Sequence, residues 1–167
     1  YVIDNIDPIL IKELEDIIDY KKTLFIVISK SGETIETLSQ YSHFRKNCEK
    51  KKLDIKKHFV FVTDAKNGEL RKIADKEKIT SFRIPGNVSG RFSVLTAVGL
   101  LPARLIGIKI EKLLAGAKKM RKKFLSDSIK ENQPFVLASI QFLLKKTMTV
   151  LMPYSQKLIK FTDWHRQ

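Results

Sequence analysis

Five short apolar runs punctuate the chain, and between them apolar positions recur at helical spacing. The runs are Tyr1–Ile3, Leu24–Ile28, Phe59–Thr63, Phe82–Ile84 and Thr147–Met152. Their Val, Ile and Phe content and near-continuous hydrophobicity predict strands of a parallel sheet covered on both faces. A strand buried on one face only would alternate apolar with polar residues. Helical period predicts helices over Ile35–Cys48, Leu70–Lys78, Phe92–Leu105, Ile110–Leu125 and Phe135–Leu144. Asp7-Pro8 adds a start signal, an Asp cap followed by Pro at the first helical position, for a helix running through Leu14 and Ile17. Alternating strands and helices predict an α/β fold: a three-layer, doubly wound, Rossmann-like arrangement on a five-stranded parallel sheet with right-handed crossovers. No internal repeat, low-complexity segment or flexible linker interrupts the pattern, so residues 1–167 read as a single domain. A chain of that length can bury ~70% of its unfolded surface.

In such sheets ligands gather at the carboxyl ends of the strands. The apolar run Leu24–Ile28 passes directly into Ser29-Lys30-Ser31-Gly32-Glu33-Thr34, which opens the helix through Ile35, Leu38 and Tyr41. The first N–H groups of a helix lack intrahelical acceptors and carry partial positive charge, which suits a phosphate. Ser29, Ser31, Thr34 and Thr37 add hydroxyl donors, Gly32 permits close backbone approach, and Lys30 supplies a full charge. Neither G-x-x-x-x-G-K-[ST] nor G-x-G-x-x-G occurs, so hydroxyls dominate the turn and a small phosphate ester fits it better than a nucleotide pyrophosphate. The other reading is an ordinary helix cap, with Ser29 or Ser31 capping and Glu33 or Thr34 in the first turn. The Thr63-Asp64 end and the loop 85–91 also lie at strand ends, and this convergence favours the phosphate.

A second constellation, Gly86-Asn87-Val88-Ser89-Gly90-Arg91, follows the run Phe82–Ile84. Glycines ahead of an Arg at a helix start let a planar, permanently charged fork project across the strand ends. There it can stabilise oxyanions that develop during a reaction. The competing reading is a structural Arg paired with a carboxylate on the sheet rim.

Composition narrows the function classes. The net charge is +14, carried by 25 lysines and only 7 arginines, in runs such as Lys50-Lys51-Lys52 and Lys118–Lys123. Readers of nucleic-acid sequence lean on Arg for bidentate contacts, so the lysines read as solvated helix faces, with no nucleic-acid partner. A basic field still helps draw in a dianionic substrate. The longest apolar runs, Leu24–Ile28 and Val98–Pro102, fall far short of a membrane span, so no membrane partner is expected. Cys48 is the sole cysteine, which rules out an intrachain disulfide and points to a reducing, cytoplasmic setting. His43, His58 and His165 show no ligand-like spacing, so neither a metal nor a cofactor is expected. The chain begins without Met and breaks off at Gln167 without a stop signal, so it is expected to be excised from a longer protein.

Ser29-Lys30-Ser31-Gly32-Glu33-Thr34-Ile35-Glu36-Thr37 resembles the sugar-phosphate loop in the first sugar-isomerase (SIS) domain of the glucose-6-phosphate isomerase family. Ser89-Gly90-Arg91-Phe92-Ser93-Val94-Leu95-Thr96-Ala97-Val98-Gly99 resembles that family's arginine signature. Leu113–Ala117, Met152-Pro153-Tyr154-Ser155 and Asp163–Gln167 resemble further segments of it in order, so the likeness covers nearly the whole chain. The resemblance implies an SIS-type fold and interconversion of glucose 6-phosphate and fructose 6-phosphate, in glycolysis and gluconeogenesis, through an enediolate. It implies that Ser29, Ser31, Thr34 and Thr37 hold the phosphate, with Lys30 and Gly32 contributing charge and backbone. Arg91 would stabilise the intermediate, with Gly90 in the substrate loop. It further implies that the glutamate base, the ring-opening histidine and a lysine lie beyond Gln167, that the intact enzyme is a homodimer, and that this chain alone is inactive. Two residues depart from the family pattern: Ser89 stands where glycine is usual, and Glu33 where threonine is common. A non-catalytic SIS module that senses sugar phosphates within a regulator is the alternative; it shares the Ser-rich loop but does not account for Ser89–Gly99 or Asp163–Gln167.

Overall fold

Three of the five apolar runs form strands, because a strand exists only where its backbone finds a ladder partner. A computed structural model describes residues 1–167 as two compact units, Tyr1–Pro102 and Ala103–Gln167. In the first unit the elements run α1 (Pro8–Ile17), β1 (Phe25–Ile28), α2 (Ile35–Lys50), the one-turn α3 (Ile55–His58), β2 (Phe59–Thr63), α4 (Glu69–Glu77) and β3 (Ser81–Arg83). A 3-10 turn, Gly90–Leu95, then leads into α5 (Ala97–Leu105). The sheet is parallel, in the order β1-β2-β3, with Phe25 opposite Phe59 and Phe61 opposite Ser81.

Of the five strands expected, the sheet contains three. Tyr1–Ile3 and Thr147–Met152 have strand composition but pair with no ladder, and Tyr1, Val2, Met148 and Val150 are exposed. The doubly wound layout is not seen either, since the strand order never reverses. Phe59 and Phe61, on one face of β2, pack in a single cluster with residues of α2 and α4. The expected helix Phe92–Leu105 is also divided: Thr96, with extended backbone (φ −105°, ψ −169°), separates the 3-10 turn from α5.

Local chemistry explains the element starts. Asp7 caps α1 by accepting from the Ile9 N–H at 2.8 Å, with Pro8 first in the helix, as its sequence predicts. Asp54 caps α3 in the same way, accepting from the Lys56 N–H at 3.1 Å. The core is aromatic. Phe25 stacks on Phe44 and Phe59, with ring centres 4.9 and 5.0 Å apart. Tyr41 stands edge-on to Phe59 and Phe61. Such pairs add about 0.5–1.5 kcal/mol each beyond their burial. Cys48, wholly buried on the inner face of α2, has its thiol pushed up by that burial.

In the second unit, α6 (Ile110–Phe124), α7 (Gln133–Leu144) and α8 (Ile159–Arg166) follow the end of α5. Asn132 joins α6 to α7: its amide donates to the carbonyls of Phe124 and Ser126, and its oxygen caps α7 by accepting from the Phe135 N–H. No helix is long and apolar enough to cross a membrane.

A polar knot ties α1 to α2. Glu15 Oε1 accepts from the Tyr20 hydroxyl and the Asn47 amide at 2.6 Å each, and lies 3.0 Å from His43 Nε2. Burial pushes the Glu15 carboxyl up, but the bonds from Tyr20, His43 and Asn47 outweigh it and hold the group below its ordinary 4.5. A depressed folded value means that the contribution is complete above pH 4.5 and is lost as pH falls through the lower, folded value. Glu15→Ala should lower unfolding free energy at neutral pH by about 1.5–3 kcal/mol, and Glu15→Gln should flatten the acid limb of a plot of Tm against pH. Both are read from thermal unfolding between neutral pH and the acid limit of folding.

Candidate functional site

The end of β1 does not simply turn into α2; it is sewn to β2 first. The Ser29 N–H donates to the Val62 carbonyl (3.1 Å), the Asp64 N–H to the Lys30 carbonyl (3.2 Å), and the Leu70 N–H to the Gly32 carbonyl (3.1 Å). Close approach here depends on two glycines. Gly32 has φ +69°, and a Cβ on it would lie 2.9 Å from Thr63 Oγ1. Gly68, with φ +91°, would place a Cβ only 2.0 Å from the Ser31 carbonyl oxygen. The turn that delivers Gly68 is shaped by Asp64 Oδ1, which accepts from the N–H groups of Lys66 (2.8 Å) and Asn67 (3.0 Å). Those two bonds, with the nearby charge of Lys30, hold the Asp64 carboxyl below its ordinary range.

Held this way, the loop gathers three hydroxyls. Ser29 Oγ and Thr34 Oγ1 share a hydrogen bond of 2.9 Å, and Ser31 Oγ is 3.5 Å from each. Ser29 Oγ accepts from the Gly32 N–H at 3.1 Å, and Ser31 Oγ from the Glu33 N–H at 3.2 Å. Thr34 occupies the cap position of α2, yet no side chain caps that helix. The hydroxyls thus face one another at the helix start instead of spending themselves on the helix. This is the opposite of the capping arrangement. Three convergent O–H groups, two backbone N–H groups and the positive end of a 16-residue helix form a set of donors suited to a small oxyanion. Glu33 is exposed, as an outward-facing carboxylate must be.

Lys30 has a different task from the one its position suggests. Its Nζ donates to the Gly86 carbonyl at 3.2 Å and to the Val88 carbonyl. It is a strut between the β1 loop and the segment after β3, with its charge held at the strand ends. Thr37 stands apart from the hydroxyl group: it lines a cavity of about 370 Å³ along β1, with Tyr1, Ile3 and Phe59, whose lining excludes Ser29, Ser31 and Thr34.

The strut leads to Arg91. Ser89 has an ordinary extended backbone (φ −64°, ψ 150°), so a residue other than glycine sits there without strain. Gly90 needs no special room, since a Cβ on it would meet nothing within 4 Å. Arg91 lies exposed on the 3-10 turn, and the turn is fastened by side chains that spacing alone did not single out. Buried Ser93 donates to the Gly90 carbonyl at 2.6 Å, and Thr96 to the Ser93 carbonyl at 2.6 Å. A Cβ on Gly99 would lie 2.3 Å from the Val94 carbonyl oxygen, so glycine closes this turn against α5. Gly68 is a further residue that spacing alone did not single out, although Asn67-Gly68 is a recognisable turn dipeptide. The sequence places Thr63 at a strand end, but nothing in its pattern marks the side chain as facing Gly32.

Gly68→Ala should therefore cost about 2–4 kcal/mol, combining strain at positive φ with displacement of the Ser31 carbonyl. Gly86→Ala, in open space, should stay within about 0.5 kcal/mol. Chemical denaturation of the two variants checks the contrast.

A family model described as phosphoglucose isomerase matches residues 1–167. Among curated relatives, a glucose-6-phosphate isomerase of Carboxydothermus hydrogenoformans is 44% identical over the whole chain, which covers 37% of that protein. A probable glucose-6-phosphate isomerase of Methanococcus maripaludis is 41% identical over the whole chain, which covers 38% of it. Among solved structures, a glucose-6-phosphate isomerase from Chlamydia trachomatis superposes with a TM-score of 0.82 at 30% identity, over 96% of this chain and 32% of that one. A hypothetical protein from Thermus thermophilus superposes with a TM-score of 0.90 at 35% identity, over 98% of this chain and 40% of its own. The chain thus spans under two-fifths of the length of those two curated relatives.

Proposed function

The chain belongs to the phosphoglucose isomerase family, and from that premise we propose that it supplies the phosphate-holding part of an aldose–ketose isomerase acting on glucose 6-phosphate and fructose 6-phosphate. The observation that carries this reading is the hydroxyl triad of Ser29, Ser31 and Thr34 at the uncapped start of α2. A phosphate there takes the hydroxyl hydrogens that the three side chains now share, together with N–H groups of the Gly32 turn. Lys30 contributes by fixing the loop and by lending its charge, and Thr37, on the cavity along β1, is left out of the phosphate set.

The proposed reaction starts from the open-chain aldehyde. A base removes the proton from C2, the electron pair forms the C1–C2 double bond, and negative charge spreads onto the oxygen at C1. Return of that proton to C1, with the O2 hydroxyl proton passing to O1, leaves the ketone at C2. Atoms and electrons balance without a metal or a redox cofactor. Arg91 faces the oxygens on which charge develops, and Gly90 lets the substrate pass close to the backbone. The groups that carry the protons come from outside residues 1–167, in a cytoplasmic homodimer. In that longer protein, the apolar segments Tyr1–Ile3 and Thr147–Met152 find ladder partners in an SIS-type, doubly wound sheet.

Two sets of variants in the full-length protein test this reading. Ser31→Ala and Thr34→Ala should mainly raise KM, because their hydrogen bonds persist through the reaction. Each bond to a charged group is worth about 1.5–3 kcal/mol, or roughly ten- to a hundredfold. Unchanged KM in both would reduce the loop to a structural turn.

Arg91→Lys should instead lower kcat more than it raises KM, by about 10²–10³-fold. Lysine keeps the charge but loses the planar fork aimed at the developing oxyanion. A purely structural Arg91 gives the reverse pattern, a lower Tm with kcat intact. Steady-state kinetics and melting on one preparation separate the two.

A further inference from the structure

Beneath the phosphate loop lies a polar group with nothing to bond. Thr63 ends β2 on the same face as Phe59 and Phe61, where the alternation asks for another apolar side chain. It is 0% exposed, and its Oγ1 has no hydrogen-bond partner. The hydroxyl is aimed at the loop: a Cβ on Gly32 would stand 2.9 Å from it, and the same Cβ would be 3.3 Å from the Cα of Gly68. Valine has the same shape and would leave no buried hydroxyl unpaired, so the hydroxyl weakens the fold unless something engages it.

The nearest donors to Gly32 are already engaged within the loop, although the first N–H groups of α2 stay open. The Gly32 N–H goes to Ser29 Oγ, the Glu33 N–H to Ser31 Oγ, and the three loop hydroxyls bond among themselves. A dianionic phosphate ester accepts but cannot donate. When it takes hydrogens from the hydroxyls and from the N–H groups, the peptide plane between Ser31 and Gly32 turns, and a left-handed glycine allows this with little strain. The Ser31 carbonyl oxygen then moves relative to the fixed end of β2, while the Gly32 carbonyl stays on the Leu70 N–H. Thr63 is held there, since its own carbonyl accepts from the Ile84 N–H at 2.8 Å.

We propose that Thr63 is a positioning residue for the phosphate loop: its buried hydroxyl, unpaired as the loop stands, donates to a loop carbonyl when phosphate draws the loop into its binding form. The inference rests on the phosphate reading above and adds a residue that does not itself touch the substrate. The hydroxyl weakens the protein when the loop is relaxed and favours the occupied loop, so its removal shifts stability and affinity in opposite senses.

The test uses Thr63→Val and Thr63→Ser in the full-length protein, with kinetics on glucose 6-phosphate, inhibition by inorganic phosphate, and melting without phosphate. Thr63→Val should raise both KM and the phosphate inhibition constant about fivefold or more, with a smaller loss in kcat and a Tm that does not fall. Thr63→Ser, which keeps the hydroxyl and loses a methyl, should lower Tm while both constants stay near those of the unsubstituted protein. If valine prevents folding, Thr63→Ala takes its place and should raise both constants where serine does not. Wild-type constants in Thr63→Val, alongside a raised KM in Ser31→Ala, would overturn the role of Thr63 and leave the phosphate reading standing. Unchanged KM in Ser31→Ala and Thr34→Ala as well would remove both.

Discussion

The site depends on a seam of three backbone hydrogen bonds that joins the loop after β1 to the end of β2 and the start of α4. Ser29 to Val62 and Asp64 to Lys30 extend the parallel ladder past the end of β1, and Leu70 to Gly32 ties the loop to the first turn of α4. A loop anchored at three points cannot fold back to cap its own helix. Its hydroxyls therefore meet one another at the mouth of α2, where the helix N–H groups and the axial dipole already favour an anion. The two glycines follow from the seam: Gly32 and Gly68 press together too closely for a side chain on either.

The same seam accounts for the conduct of Lys30. With its backbone carbonyl fixed by Asp64, the side chain reaches the loop after β3 and bonds the carbonyls of Gly86 and Val88. Bonded to two backbone carbonyls, the ammonium adds to the positive potential at the strand ends. It also couples two loops that are 56 residues apart in sequence, so the position of the Arg91 turn is mechanically tied to that of the hydroxyl loop. The turn has its own fastening in Ser93 and Thr96, which lets an exposed Arg stand on a defined base.

Much of this was legible in the chain itself. The Asp7-Pro8 start, the apolar runs of β1 and β2, the hydroxyl turn before Ile35 and the Gly-Arg segment after β3 are local signals, and local signals survive being read one window at a time. The ordered resemblance of Ser29–Thr37 and Ser89–Gly99 to one enzyme family is also a property of sequence, and the family match over the full chain agrees with it. The ladder partners of each strand were not legible. Tyr1–Ile3 and Thr147–Met152 have the composition of strands, but pairing is a relation between distant segments, and composition cannot say whether a partner is present.

What the sequence by itself determined is therefore chemical inventory and local conformation: which residue types stand at the end of β1, where helices begin, and which family the chain joins. Tertiary structure alone decided what those residues face. It turned Ser29, Ser31 and Thr34 toward each other, sent Lys30 to two carbonyls, moved Thr37 to a different wall, and buried the Thr63 hydroxyl under Gly32. The physical reason is that hydrogen-bond partners and close packing are fixed by contacts across tens of residues, and no local pattern of hydrophobic and polar positions encodes those distances.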